Sequence, residues 1–168
     1  MLSGGSENIK QHFTGSIVYT SRSESSLIGG PALIIDGQQR VTTVTLLLEA
    51  LARRLEADDL EVSQDFNAKR IRKNYLLLDD EEGDRRFKLI LSNKDAESLK
   101  NILENKDVTE DYIIKSENIK TNFEYFVKKI NELDEGNLLN LCRGISKLFI
   151  IALGLGADDN PQLIFESM

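Results

Sequence analysis

The sharpest change in the pattern of apolar and polar residues lies immediately after residue 35. The apolar residues 32–35 predict a strand, which a tight turn at 36–37 ends. Three polar residues follow at 38–40, and residues 41–55 then carry apolar side chains at spacings of three and four, as in an amphipathic helix. The pattern therefore predicts a strand, a turn and a helix N-terminus whose backbone N–H groups point towards the space above the turn.

The rest of the pattern predicts further strands, a β-hairpin and several helices. Strands are predicted over residues 15–20, antiparallel to 32–35, and 147–153, with a hairpin formed by 75–78 and 87–91. Helices are predicted over residues 7–13, 67–74, 93–105, 117–133 and 138–145, and from Pro161 onwards. Together these elements predict a helix-rich α+β fold with a small mixed or antiparallel sheet.

Expectations about burial follow from the same pattern. The residues that fall mostly on the side of the first long helix opposite its apolar stripe are Thr42, Thr45, Glu49 and Arg53. The continuous apolar run at 147–153 is typical of a strand that is buried on both faces. Cys142 lies in an apolar helical stretch with no histidine nearby in the sequence, which indicates a core position.

Composition narrows the classes of protein. A chain of 168 residues, 40% hydrophobic and 29% charged, is long enough for one domain with a real core. The net charge of −7 argues against nucleic-acid binding through bulk positive charge, although it leaves room for a local basic groove. The single cysteine permits no internal disulfide, and no apolar run reaches the roughly 18 residues of a membrane span. We therefore expect an acidic cytoplasmic protein without a membrane partner.

The ends of the chain predict its domain boundaries. Residues 1–6 are typical of an expression remnant or a flexible leader. The chain stops inside a helical pattern, without a capping residue or a closing turn. We therefore expect residues 7–168 to form a truncated domain that belongs to a longer protein.

The turn after residue 35 permits two interpretations. Asp36 and Gly37 are common in plain tight turns, and threonines near a helix start often only cap it. A ligand site is favoured by three consecutive polar residues and by Arg40, a cation at the positive end of a helix dipole. Asp36 also ends an apolar strand, where α/β proteins place catalytic carboxylates and metal ligands. This set of residues suits an anionic ligand and a metal ion.

Free energies show that this turn would need help from other segments. A helix N-terminus contributes about 0.3–1 kcal/mol to anion binding, up to ~2 kcal/mol when partly buried. A charge-assisted hydrogen bond from Arg40 adds roughly 1.5–3 kcal/mol. Since micromolar affinity needs about 8 kcal/mol, the turn can form only the centre of a site.

Three stretches resemble the N-terminal domain of GmrSD-type restriction enzymes, which are type IV and modification-dependent, and of related phage-defence proteins. Residues 35–43 match the family's DGQQR signature, which a hydrophobic residue and two threonines follow. Residues 13–18 resemble its F-x-G-S-I strand. Residues 161–168 resemble its I-F-E-x-x-N-x-x-G segment and stop just before the Asn.

The resemblance implies a ParB/sulfiredoxin-like fold that binds and hydrolyses a nucleoside triphosphate, GTP or ATP, with Mg²⁺. It implies catalytic roles for Asp36 and Arg40, with Asp36 holding the metal or orienting the attacking water. The residues that would contact or approach the nucleotide phosphates are Gly37, Gln38, Gln39, Arg40, Thr42 and Thr43. In such proteins this domain regulates an HNH-type nuclease, in the same chain or a partner, that cuts foreign and often modified DNA.

Departures from the family pattern limit this expectation. The family's Tyr-Gln-Arg segment before the first strand is not matched here, and the Asn and Gly after residue 168 are missing. We therefore expect weak hydrolysis, or none, from this fragment. The alternative function is a non-catalytic DNA-binding or adaptor module in which the DGQQR turn grips a nucleic-acid phosphate.

Other polar groups carry weaker signals. His12 lacks cysteine or aspartate partners at zinc-binding spacing, which indicates a surface or structural role. The basic run at 69–73 fits either a solvated helix face or a contact with DNA phosphates. The acidic runs at 79–82 and 158–159 are expected in loops.

Overall fold

A computed structural model describes residues 11–21, 31–61, 66–105, 115–156 and 159. Its named elements, in chain order, are β1 (His12–Ser21), β2 (Ala32–Asp36), α1 (Gln38–Ala57), α2 (Ala68–Ile71), a π-helical turn (Arg72–Leu76), a 3₁₀ turn (Gly83–Arg86), α3 (Asn93–Leu103), α4 (Glu117–Asn131), α5 (Glu135–Ile145) and β3 (Leu148–Leu155). The helix-rich α+β prediction is confirmed. The predicted helix from Pro161 lies outside the described residues.

The chain divides into two compact units. The sheet unit comprises residues 1–39 and 143–168, and the helical unit comprises residues 40–142. The three strands belong to the sheet unit, whereas α2, α3 and α4 belong to the helical unit.

The sheet is mixed and has the strand order β2-β1-β3. β1 pairs antiparallel with β2, so that Val18 lies opposite Asp36, and parallel with β3, so that Phe13 lies opposite Phe149. The two phenylalanine rings are tilted against each other with centroids 5.4 Å apart. The helix predicted over 7–13 is therefore wrong at His12 and Phe13, because pairing with a distant strand outweighs the local spacing, and residues 7–10 lie outside the described part.

The prediction that the last apolar strand is buried on both faces is wrong. Phe149, Ile150, Ile151 and Leu153 are 38–49% exposed. The central strand β1 also carries an exposed aromatic side chain, since Phe13 is 51% exposed, so the exposure is not confined to the edge strand β3. A continuous apolar run is thus compatible with an exposed strand as well as with a buried one.

α1 begins earlier than the apolar pattern suggests and buries polar residues as well. It starts at Gln38, so the three polar residues after the turn form its first turn. The fully or almost fully buried apolar residues of the helix are Leu46, Leu48, Ala50, Leu51, Ala52 and Leu55. Thr45 and Glu49 are buried too, although the spacing places them mostly opposite the apolar stripe.

The predicted hairpin is wrong, because its first half is helical. The helical pattern of 67–74 is α2 followed without a break by the π-helical turn, which contains Tyr75 and Leu76. A single antiparallel bridge joins Leu77 to Phe87, flanked by hydrogen bonds at 2.7 and 3.0 Å. Lys88 also contacts the π-helical turn, since its Nζ donates to the carbonyls of Lys73 and Asn74.

The three later helices confirm their predictions. α3 and α4 bury the apolar faces that the spacing predicts, including Leu99, Ile102 and Phe123. Ser98 fixes the start of α4, because its Oγ accepts a hydrogen bond of 2.9 Å from the backbone N–H of Ser116. α5 begins at Glu135, three residues before the predicted start.

Candidate functional site

The DGQQR stretch forms a strand, a one-residue turn and a helix. Asp36 is the last residue of β2 and is half-buried. Gly37 has φ +88°, a left-handed conformation that side chains with a Cβ rarely adopt, so glycine lets the strand change directly into α1. Gln38 supports this turn because its Nε2 donates a hydrogen bond of 2.8 Å to the carbonyl of Ile34 in β2.

The first turn of α1 carries Gln38, Gln39 and Arg40, with the glutamines exposed and the arginine half-buried. This turn contains no acidic residue that would offset the positive end of the helix dipole. Thr42 and Thr43 come one turn later, and side chains three or four positions apart lie side by side on a helix. The helix therefore groups the predicted phosphate-contacting residues on the turns nearest its N-terminus.

The second stretch with family resemblance lies beside the first. Residues 13–18 belong to β1, and their last member, Val18, pairs with Asp36 and is fully buried. The end of this stretch, at Val18, therefore lies next to the strand that ends at the turn, whereas Phe13, Ser16 and Ile17 pair with β3. The third stretch, 161–168, lies outside the described residues.

Comparison with known families decides the assignment. The model of the family described as GmrSD restriction endonuclease, N-terminal domain, matches residues 5–168. The chain belongs to this family. Membership identifies it as part of a restriction or phage-defence protein. Searches of curated proteins and of solved structures found no match, so the ParB/sulfiredoxin-like fold stays a prediction.

The predicted magnesium site of this GmrSD N-terminal domain depends on the carboxylate of Asp36. Within the described ranges, His, Cys, Asp and Glu side chains form no group of three that could hold a metal ion. Mg²⁺ usually takes only one or two carboxylates and completes its shell with water and phosphate oxygens. The absence of such a group among the described residues therefore does not exclude Asp36 as a Mg²⁺ ligand, and this role stays a prediction.

A buried ionic network lies further along α1 in this GmrSD domain. The Glu49 carboxylate is fully buried and accepts hydrogen bonds from Arg53 at 3.1 Å and from Arg72 at 3.2 Å. Arg53 also donates to the Ile102 carbonyl at 2.5 Å and stacks over the Phe123 ring at 4.8 Å. The network thus joins α1, the helix that begins with Gln38, Gln39 and Arg40, to the π-helical turn, α3 and α4.

Arg72 is the most strongly engaged cation of this network. Burial acts to lower the pKa of its guanidinium, but hydrogen bonds and charges from Glu49 and Glu56 outweigh burial and raise the pKa above its ordinary value. Arg72 therefore stays charged. The spacing of four residues between Glu49 and Arg53 is the one feature of the sequence that indicates this network. That the Glu49 carboxylate is buried is visible only in the packing of the structure.

The remaining residues that the sequence analysis considered for a functional role do not belong to this site. His12 is exposed, and Cys142 is buried, which raises the pKa of its thiol. The acidic run that begins at Asp79 lies in a turn, as predicted. Among the residues that the structure describes, each helix is too short or too polar to cross a bilayer.

Proposed function

We propose that this domain binds and hydrolyses a nucleoside triphosphate, GTP or ATP with Mg²⁺, and thereby regulates an HNH-type nuclease that cuts modified DNA. One observation carries the proposal. The left-handed Gly37 places a carboxylate at the end of a strand directly before a helix whose first turn holds Gln38, Gln39 and Arg40 and no acidic residue. Membership in a restriction family supplies the biological setting.

Each residue of the turn has a role in this proposal. The N–H groups at the start of α1 and the side chains of Gln38 and Gln39 would bind phosphate oxygens, since a helix N-terminus favours anions. Arg40 would stabilise the negative charge that develops on the transferred phosphoryl group. Asp36 would hold Mg²⁺ or orient the attacking water. A bound Mg²⁺ ion supplies charge neutralisation between the phosphates.

Paired arginine substitutions test this function. Arg40→Ala, made in the protein together with its nuclease module, should abolish nucleotide turnover because the charge next to the phosphates is lost. Arg54→Ala is the matched control, since Arg54 lies near the other end of the same helix and pairs with Asp58 at 2.9 Å. Turnover is measured as phosphate release. Equal turnover in both variants would overturn the proposal.

Asp36→Asn tests the metal and water role separately. Nucleotide binding, measured with a fluorescent GTP or ATP analogue in Mg²⁺, should weaken less than turnover, because the amide keeps the shape of the side chain but loses its charge.

DNA binding distinguishes the alternative function. If Arg40→Ala weakens DNA binding with a reduced salt dependence while nucleotide has no effect, the turn grips a nucleic-acid phosphate and the domain is a non-catalytic DNA-binding module.

A further inference from the structure

Four basic side chains form a surface cluster in the helical unit, far along the chain from the DGQQR residues. We call it the basic cluster, and its members are Lys69, Arg70, Lys73 and Lys88. Lys69 and Arg70 are exposed on α2, and Lys73 follows on the π-helical turn. Helical spacing of three and four from these two residues places Lys73 beside them on one face.

Contacts show that these cations converge. Lys73 Nζ lies 2.8 Å from an Asp79 carboxylate oxygen. This hydrogen bond is the main cause that lowers the pKa of Asp79, and the charges of Lys73, Lys69 and Lys88 act in the same direction. Lys73 therefore holds this carboxylate directly, and Lys69 and Lys88 act on it through their charges. Lys88 is held in place, since its Nζ also donates to the carbonyls of Lys73 and Asn74 at 3.0 and 2.7 Å.

The charge of the cluster contrasts with that of the chain. The whole chain carries −7, whereas four exposed cations gather here, and within the acidic run at 79–82 the charges of Asp79 and Asp80 act on Lys73. Lys73 and Asp79 are 56% and 51% exposed, and exposed ion pairs are weakly held. Arg72, in the middle of the run, is different because the carboxylates of α1 engage it. The outer cations can thus exchange Asp79 for another anion.

We propose that the basic cluster binds the phosphate backbone of duplex DNA, independently of the nucleotide function. Exposed cations on one helix face, with a rise of about 6 Å between residues four apart, suit an anion that repeats along a strand. Arginine and lysine contacts to phosphates position a protein on DNA without reading its sequence. Within a restriction-family protein, this surface would hold the duplex, and base recognition would belong to other parts.

A pair of double variants tests the location of binding. Lys69→Ala/Arg70→Ala removes two adjacent exposed cations of the cluster, and Lys128→Ala/Lys129→Ala removes two adjacent exposed cations of α4. Anisotropy of a labelled duplex is measured on the full chain between about 50 and 200 mM salt. We expect the cluster variant to reduce the slope of log K against log salt by about 2 and the affinity by roughly tenfold. The α4 variant should bind as the unmodified chain does.

Removing the competing carboxylate provides a test that loss of folding cannot mimic. Asp79→Asn frees Lys73 and should tighten DNA binding, with a salt slope steeper by about one unit. Glu132→Gln is the matched control, because Glu132 pairs with Lys129 at the same 2.8 Å and with similar exposure. Its effect on DNA binding should be nil.

Three results would overturn the proposal. The first is the absence of DNA binding at low salt, and the second is equal weakening by both double variants, which would indicate bulk charge. The third is a competition result. If polyglutamate displaces the labelled duplex as effectively as an unlabelled duplex does, the partner is an acidic protein. Thermal unfolding of each variant confirms that the fold is retained.

Discussion

The sheet unit and the helical unit use their apolar residues in opposite ways. Val18 is the one buried apolar residue that the structure describes in the sheet unit, and every other one lies in the helical unit. Conversely, the sheet unit contains most of the large apolar side chains that are exposed. These are Phe13, Leu33, Phe149, Ile150, Ile151 and Leu153.

This difference indicates that the two units are stabilised in different ways. The helical unit gains its stability from a shared core of leucine, isoleucine and phenylalanine side chains, to which area burial contributes about 25 cal/mol per Å². The sheet unit, held mainly by strand pairing, contains the candidate residues Asp36 to Gln39, whereas Arg40, Thr42 and Thr43 belong to the helical unit. Substitutions in the two units should therefore differ in what they damage.

The largest expected effect is a cavity in the helical unit. Leu51→Ala deletes a fully buried side chain of α1 and should lower the free energy of unfolding by about 2–5 kcal/mol. Ile151→Ala, at a half-exposed position of β3, should change it by roughly 0.5–1 kcal/mol. Urea unfolding measures both. Equal losses would show that the sheet unit depends on its apolar side chains as much as the helical unit does.

A smaller effect is expected from the ionic network. Glu49→Gln removes a fully buried carboxylate that two arginines bind and should cost roughly 1.5–3 kcal/mol, the value for hydrogen bonds to charged groups. Glu56→Gln is the control, because Glu56 binds the same Arg72 at 2.8 Å but is 58% exposed. Its cost should stay below about 1 kcal/mol. The two costs would coincide if burial of Glu49 contributed nothing.

Local patterns predicted the helices and the position of the candidate site. Spacings of three and four placed α1, α3 and α4, and the change from apolar to polar residues placed Asp36 at a strand end. These features depend on residues that are close in sequence. The roles of Asp36 and Arg40 stay predictions, since an arrangement of side chains does not by itself identify a ligand.

Features that depend on distant neighbours could not be predicted in this way. The exposure of β3 depends on which segments cover the faces of the sheet, and the hairpin fails because Tyr75 and Leu76 continue a helix from α2. Glu49 has the sequence signature of a solvent-facing residue, yet arginines from α1 and from the π-helical turn meet it inside. A buried charge becomes predictable only when its partners are known.

The smallest expected effect uses Cys142 as a probe of the helical unit. Burial raises the pKa of its thiol, so the folded state keeps the proton where the unfolded chain has lost it. This contribution to stability is full below the ordinary thiol pKa of about 8.5 and is lost as pH rises through the folded-state pKa. Urea unfolding across this range should therefore show that the free energy of unfolding falls more steeply with rising pH in the unmodified chain than in Cys142→Ala.

The same thiol reports opening of the helical unit. Iodoacetamide labelling should be slow in the folded chain and faster in Leu51→Ala, whose helical unit opens more often. Labelling at the same rate in both would mean that Cys142 is reached without opening of the core.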